Sequence, residues 1–261
     1  MPKERKFRIF DLSNPIGHGT PLFPASIQIQ PFFFEYNTMS RSRTRLQTFY
    51  AHMHYGTHTD APAHVLYEIP NPKTVDQIPL ENCYGEGVVV SIPKGKWEVI
   101  TPEDLEKAEP KIEKGDIVIV NTGWHHKWGD NIEWLCYYPS FYKEAGEWFV
   151  KKGVKGVGIT APAMDIIFAT YAVGRTPSTP DFLPWLVDEY KQLTGRHPRE
   201  DFPEWEPCHR LLLKNSIVVY ESVGGDVDKV TGKRCIIAGF PIRWIGGDGS
   251  WIRLVAIVEE E

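Results

Sequence analysis

No apolar run in this 261-residue sequence approaches the roughly 18 residues that a membrane-spanning helix requires, which argues against a transmembrane protein. The basic start MPKERKFRIF has no apolar stretch after it, so a secretory signal is not expected. Cysteine is scarce: four residues, at 83, 136, 208 and 235, with no two at C-x-x-C spacing. In a chain this long they do not read as a disulfide framework, and reduced, buried thiols in a cytoplasmic protein are expected. A basic stripe is missing too. Lys and Arg total 29 against 34 Asp and Glu, a net charge of -5, so nothing recommends nucleic acid as a partner. Internal repeats, low-complexity tracts and Gly/Ser or charged linkers are absent, and nothing demands a second domain.

What is present is a core-forming chain, 42% apolar and 24% charged. Val88-Val89-Val90, Ile117 to Val120 and Ile217 to Tyr220 are β-branched runs of the kind expected in buried strands. Lys155 to Thr160 and Arg234 to Ala238 are weaker candidates, and Arg45 to His54 alternates as a half-buried strand should. Thr101-Pro102-Glu103-Asp104 is a helix start with a cap, a proline at the first position and acids at the positive end. Further helices are predicted over Tyr142 to Lys152, stopped by Gly153, over Asp181 to Leu193, and over Cys208 to Leu213. Short strands with helices between them give an α/β or α+β domain, taken here as one domain over residues 1–261. A Pro/Trp-rich excursion at about 166–207, densest from Gly174 to Pro207, breaks regular structure and is placed to cover a pocket.

One segment is chemically dense. HYGTHTDAPAH, residues 54 to 64, holds three of the nine histidines and Asp60. Imidazole nitrogens and a carboxylate suit Zn, Mn or Fe(II). Gly56, two β-branched threonines and Pro62 oppose a helix, and a straight strand would spread residues 54 to 60 over roughly 20 Å. The chain must therefore fold back, and Gly56 permits it because glycine tolerates positive φ. His54, His58 and Asp60 are then three ligands that leave a coordination position open, the mark of a catalytic site. His64, past Pro62, is either a fourth ligand or, as preferred here, the general base and acid. His209 and Glu221, one opening HRLLLKN and the other ending the strand IVVYE, form a second pair that spacing alone supports weakly.

These residues carry a resemblance. HYGTHTDAPAH resembles the H-x-G-T-H-x-D-x-P-x-H signature of the cyclase-type metal-dependent hydrolases, which include bacterial kynurenine formamidases and isatin hydrolases. FDLSNPIGHGTPLFP, GDIVIVNTGW, YYPSFYKEAGEWFVKKGVKGVGI, APAMD and CHRLLLKNSIVVYES are similar to later and earlier parts of that family. The resemblance implies an α/β fold with a barrel-like mixed β-core flanked by helices, usually assembled as a homodimer. It implies that His54, His58 and Asp60 hold a first divalent ion, Zn or Mn. Asp60 would bridge to a second held by His209 and Glu221 in dinuclear members, whereas isatin hydrolases use one. It implies His64 as acid/base, acting on the amide of a small aromatic or cyclic substrate such as an aryl formamide, an isatin-like lactam or a cyclic imide. Phe23, Trp124 and Trp185 are candidates for holding that ring, and Thr57 for stabilising an oxyanion. The longer material between Asp165 and His209 departs from the small formamidases and points to a different pocket wall. Two alternatives remain at this stage. One is a lactone or other ester hydrolase on the same site. The other is a two-metal phosphoesterase, with Arg210, Arg175 and Lys127 as the available phosphate clamps.

Overall fold

The computed structural model describes residues 6–24 and 29–260. Eleven strands are found among them: β1 Lys6–Asp11, β2 Phe32–Asn37, β3 Leu46–Tyr50, β4 His58–Asp60, β5 Tyr84–Ser91, β6 Ile117–Asn121, β7 Gly156–Ile159, β8 Val218–Tyr220, β9 Lys233–Ala238, β10 Gly249–Trp251 and β11 Val255–Glu260. Seven make one mixed sheet in the order β1-β11-β9-β5-β6-β7-β8. The pairs from β5 to β8 are parallel and the rest antiparallel.

The β-branched runs lack alternation because both faces of their strands are covered. Val88, Val90, Val118, Val120 and Ile159 enter one apolar layer with Leu105, Phe149, Leu186 and Leu212 of the helices. Val89, Ile117, Ile119, Val218 and Tyr220 enter a second with Phe10 of β1, Ile237 of β9 and Ala256 of β11. The central mixed sheet is thus covered by one apolar layer on each face, as the α/β expectation requires. On β7 the second layer meets glycine: a Cβ on Gly158 would lie 2.6 Å from Ile119 Cδ1. The ladder does not close continuously among the described residues. Its ends meet through the Ser13–Val223 bridge, where Gly224 N–H donates to Leu12 O at 2.9 Å.

The helix signals resolve physically. Thr101 Oγ1 accepts the Asp104 N–H at 3.2 Å, and helix Pro102–Lys107 follows. Helix Lys143–Lys152 stops at Gly153, whose φ is 75°. The helix expected from Asp181 starts later, at Pro184, and runs to Thr194. Proline suits the first helical position and keeps the residue before it out of helical geometry. The helix expected over Cys208 to Leu213 spans Pro207–Lys214.

The Arg45 to His54 alternation does not mark a half-buried strand. Only Leu46–Tyr50 is extended, it pairs with β2 alone, and both strands of this hairpin are exposed along almost their whole length. Alternation reports a polarity pattern, and burial requires a neighbour to pack on.

Candidate functional site

The histidine-rich segment does fold back, and Gly56 is where it turns, at φ 54°. A Cβ there would also press on Ile16 Cγ1 at 3.0 Å. Beyond the turn His58 and Asp60 lie two apart on β4, so their side chains share a face. That strand is held from both sides. It pairs with β10, Asp60 opposite Gly249, and bridges to Glu221 just past the end of β8. Glu221 N–H donates to His58 O at 3.1 Å. The parallel strands therefore present Glu221 at their carboxyl ends, where ligand sites of α/β sheets form. Pro62 opens the single helical turn Pro62–Val65 that carries His64.

Asp60 is the hub. Its Oδ1 lies 2.6 Å from His54 Nδ1 and 3.5 Å from His58 Nε2, and its Oδ2 lies 2.9 Å from His209 Nε2. His58 Nε2 is 3.4 Å from Glu221 Oε2. Ligand atoms about 2.0–2.2 Å from one tetrahedral ion sit about 3.3–3.6 Å apart, and the 3.5 Å between His58 and Asp60 falls in that range. Two donor groups result, His54–His58–Asp60 and Asp60–His209–Glu221, which share the aspartate.

The orientation of each donor has a cause. His58 Nδ1–H donates to Gly56 O at 2.9 Å, so Nε2 keeps its lone pair facing the site. His54 Nε2–H donates to Asp248 Oδ2 at 3.0 Å, which leaves Nδ1 for Asp60's side. His209 is positioned through its backbone. Its N–H and that of Cys208 donate to the two oxygens of buried Asp165, each at 2.9 Å. Burial pushes the Asp165 carboxyl up to about 6 despite those bonds. Glu221 Oε1 is fixed by the Met164 N–H at 2.6 Å.

These residues fit a divalent ion. Both Asp60 oxygens and His209 Nε2 are buried and lack a hydrogen-bond partner. A buried carboxylate with no acceptor bond is costly, and an ion removes that cost. The electrostatics agree. Burial raises the Asp60 carboxyl, but the imidazoles of His54, His58 and His64 outweigh it and hold the group well below the usual range. Burial lowers His54 and His209, but the carboxylates around them lift both to about 10. Protons thus stand in for positive charge when no ion is bound, so ion uptake releases them and affinity falls as pH falls. Burial takes His58 down to about 4, a neutral ligand without help.

His64 stands beside the donors. Its ring stacks on His54 at 4.0 Å between centroids, and its Nδ1 lies 3.5 Å from Asp248 Oδ2. Both donor groups centred on Asp60 exclude it. Burial lowers its pKa from the ordinary value.

Four of the donors, His54, His58, His209 and Glu221, line a cavity that is also lined by Phe23, Trp128, Trp134, Leu135 and Tyr171. Phe23 is where the sequence placed it. Trp124 and Trp185 are not. Trp124 is 5% exposed in the core, and its indole N–H donates to Trp134 O at 3.4 Å. Trp185 is 43% exposed on helix Pro184–Thr194, outside the cavity lining. The excursion reaches the cavity through Thr170, Tyr171 and Glu206 instead. Thr57 is spent on structure: it accepts the Asn14 N–H at 2.8 Å and donates to Ser222 O at 2.7 Å. The phosphate-clamp candidates are engaged elsewhere. Arg210 pairs with Glu68, Lys127 pairs with Glu133, and Arg175 donates to backbone carbonyls.

Sequence reasoning missed Asp248, Asp165, Glu206 and His52, which also lines the cavity. Asp248 had one signal, the following glycine. A Cβ on Gly249 would stand 2.6 Å from His54 Cε1 and 3.2 Å from Asp60 Oδ1, so only glycine lets β10 approach the donors this closely.

Comparison with known proteins gives the same frame. The model of the putative cyclase family matches residues 10–166. A kynurenine formamidase of Erythrobacter litoralis is 29% identical over 254 residues, covering 95% of this chain and 93% of that protein. An isatin hydrolase solved with the product analogue thioisatinate superposes with a TM-score of 0.76 at 19% identity, over 97% of this chain and 93% of the other. Isatin hydrolase A from Ralstonia solanacearum gives 0.75 at 22% identity, over 97% and 92%. With the family match spanning more than half of its length, the chain belongs to the putative cyclase family.

Proposed function

We propose that the protein is a hydrolase that uses a divalent ion, Zn or Mn, to cleave the amide C–N bond of a small aromatic or cyclic substrate. One observation carries the reading: a buried carboxylate, Asp60, meets only imidazole nitrogens at both oxygens, and those imidazoles, of His54, His58 and His209, line a cavity with aromatic side chains. The bound ion supplies a water acidified from about 15.7 toward 7 and a Lewis acid for the carbonyl. The chain supplies the rest. His54, His58 and Asp60 hold one position, and Asp60, His209 and Glu221 hold a second. His64, outside both sets yet lining the cavity, takes and returns the proton. The aromatic wall seats the ring of the substrate. The relatives are named for a formamide and for isatin, and both are carbonyl–nitrogen compounds on an aromatic frame.

A substrate panel tests this: an aryl formamide, isatin, a cyclic imide, an aryl lactone and a chromogenic phosphate ester, with metal content measured on the same preparation. Turnover of a carbonyl–nitrogen compound at one or two ions per chain is expected. Phosphate-ester turnover alone would overturn it, and the engaged Arg210, Arg175 and Lys127 argue against that result.

A homodimer belongs to the same proposal. Hairpin β2–β3 exposes Phe32, Phe33, Phe34, Tyr36, Phe49 and Tyr50, each by 45% or more. A two-stranded ribbon with both faces bare is marginal alone, and a contiguous apolar patch marks an interface. Light scattering should give twice the 29.9 kDa chain mass, and Phe33→Ser with Tyr50→Ser should shift it toward the monomer. No helix of the described residues is long and apolar enough to cross a membrane.

A further inference from the structure

Glu206 has an arrangement that folding alone does not explain. It precedes helix Pro207–Lys214 with φ 43° and ψ 49°, the left-handed region. A side chain bearing a Cβ pays about 1–2 kcal/mol there. The conformation is pinned from both ends: Glu206 N–H donates to Ala169 O at 2.8 Å, and Arg210 N–H donates to Glu206 O at 3.0 Å. The result delivers a carboxyl group into the cavity beside His209, Thr170 and Tyr171. The residue is 7% exposed, and its Oε2 is buried without a hydrogen-bond partner.

Among the described residues no hydrogen bond reaches that oxygen, although the field of the His209 imidazole does. Arg175, whose field reaches it, spends its donors on five carbonyls, those of Phe168, Thr170, Val173, Phe202 and Glu204. Burial pushes the Glu206 carboxyl up to about 7. An acceptor kept in a strained backbone, buried and unpaired costs stability twice, and such costs concentrate where a ligand meets the protein. An apolar residue would cost less at this position if packing were its only task.

Resting on the amide-hydrolase reading above, we infer that Glu206 is a specificity-determining residue that accepts a hydrogen bond from the N–H of an aryl amide while the ring lies on the aromatic wall. The site is thereby set for amides over esters of the same shape. An ester oxygen offers no hydrogen and leaves the acceptor unpaired, and sites built to bond a substrate N–H discriminate strongly against analogues that lack it.

The test compares formanilide with phenyl formate, which differ by N–H against O, in the wild type, Glu206→Gln and Glu206→Leu. In Glu206→Leu the kcat/KM for formanilide should fall by about 10- to 100-fold relative to that for phenyl formate. Metal content should be unchanged, and the melting temperature should not drop. Glu206→Gln retains an acceptor oxygen and should restore part of the preference. Equal loss on both substrates, or no change in the ratio, overturns the inference. If the wild type hydrolyses neither compound, the functional proposal fails on its own, and binding decides the inference. Acetanilide should then bind the wild type more tightly than phenyl acetate does, with the difference lost in Glu206→Leu. Absence of that difference in the wild type overturns it.

Discussion

Asp60→Asn is expected to empty both ion positions at once and to lower turnover by more than about a thousandfold, because the chemistry the ion supplies is lost. No other residue belongs to both donor groups centred there. The carboxylate offers one oxygen to the His54 and His58 side and the other to the His209 side. A carboxamide keeps the shape, removes the charge and turns one of the two positions into an N–H donor. The variant should nevertheless fold. In the ion-free chain Asp60 is the counter-charge of His54 and His209, and with the carboxylate gone those buried imidazoles can release their protons instead of staying as unpaired charges. Two measurements separate these effects. Elemental analysis should find the ion in wild-type protein and not in the variant. The wild-type melting temperature should rise with added Zn or Mn, by the equivalent of about 2.7 kcal/mol at a hundredfold excess over Kd. The variant's should not move. A variant that keeps its full complement of ion would remove Asp60 from the hub.

That hub shows why part of the site is legible in the sequence. His54, His58, Asp60 and the glycine that turns the chain between them lie within seven residues. Strand parity together with the short reach of a metal ligand forces the turn, and φ 54° at Gly56 is what that geometry requires. The buried strands are legible for a related reason. A run such as Val88 to Val90 suits only a strand covered on both faces, and the two apolar layers take its residues alternately.

The parts that stayed hidden depend on contacts far along the chain. Asp248 orients His54 from 194 residues away, and nothing in HYGTHTDAPAH announces it. Trp124, Trp128 and Trp134 are equivalent as letters. Trp124 and Trp134 both enter the apolar core, but only Trp134, on the helix Ile132–Cys136, and Trp128, just past the short turn Trp124–Lys127, also line the cavity. Glu206 was passed over because its significance lies in a positive φ, which a non-glycine residue does not advertise.

His64→Ala is expected to leave the ion content intact and to lower kcat by about a hundred- to ten-thousandfold, the range for loss of a general acid–base group. KM should change little, since the proton transfer is an interaction of the transition state. The geometry distinguishes His64 from its neighbours. His54, His58 and Asp60 converge on one another, whereas His64 stacks flat on His54 and directs Nδ1 toward Asp248, in the donor group His54–His64–Asp248. The stack sets the His64 ring beside His54, outside the sets His54–His58–Asp60 and Asp60–His209–Glu221 that would hold the ion. Its side chain is 30% exposed and lines the cavity, so its free edge meets the substrate and water. The alanine variant also removes the stack, which by itself could let His54 turn. His64→Asn controls for this: a planar amide can still reach Asp248 but has no titrating nitrogen. Both variants should retain the ion and lose kcat together. If the alanine variant loses the ion while the asparagine variant keeps it and stays active, His64 is a support for His54. If both lose the ion, His64 is a ligand, and the proton must be carried by another group of the cavity.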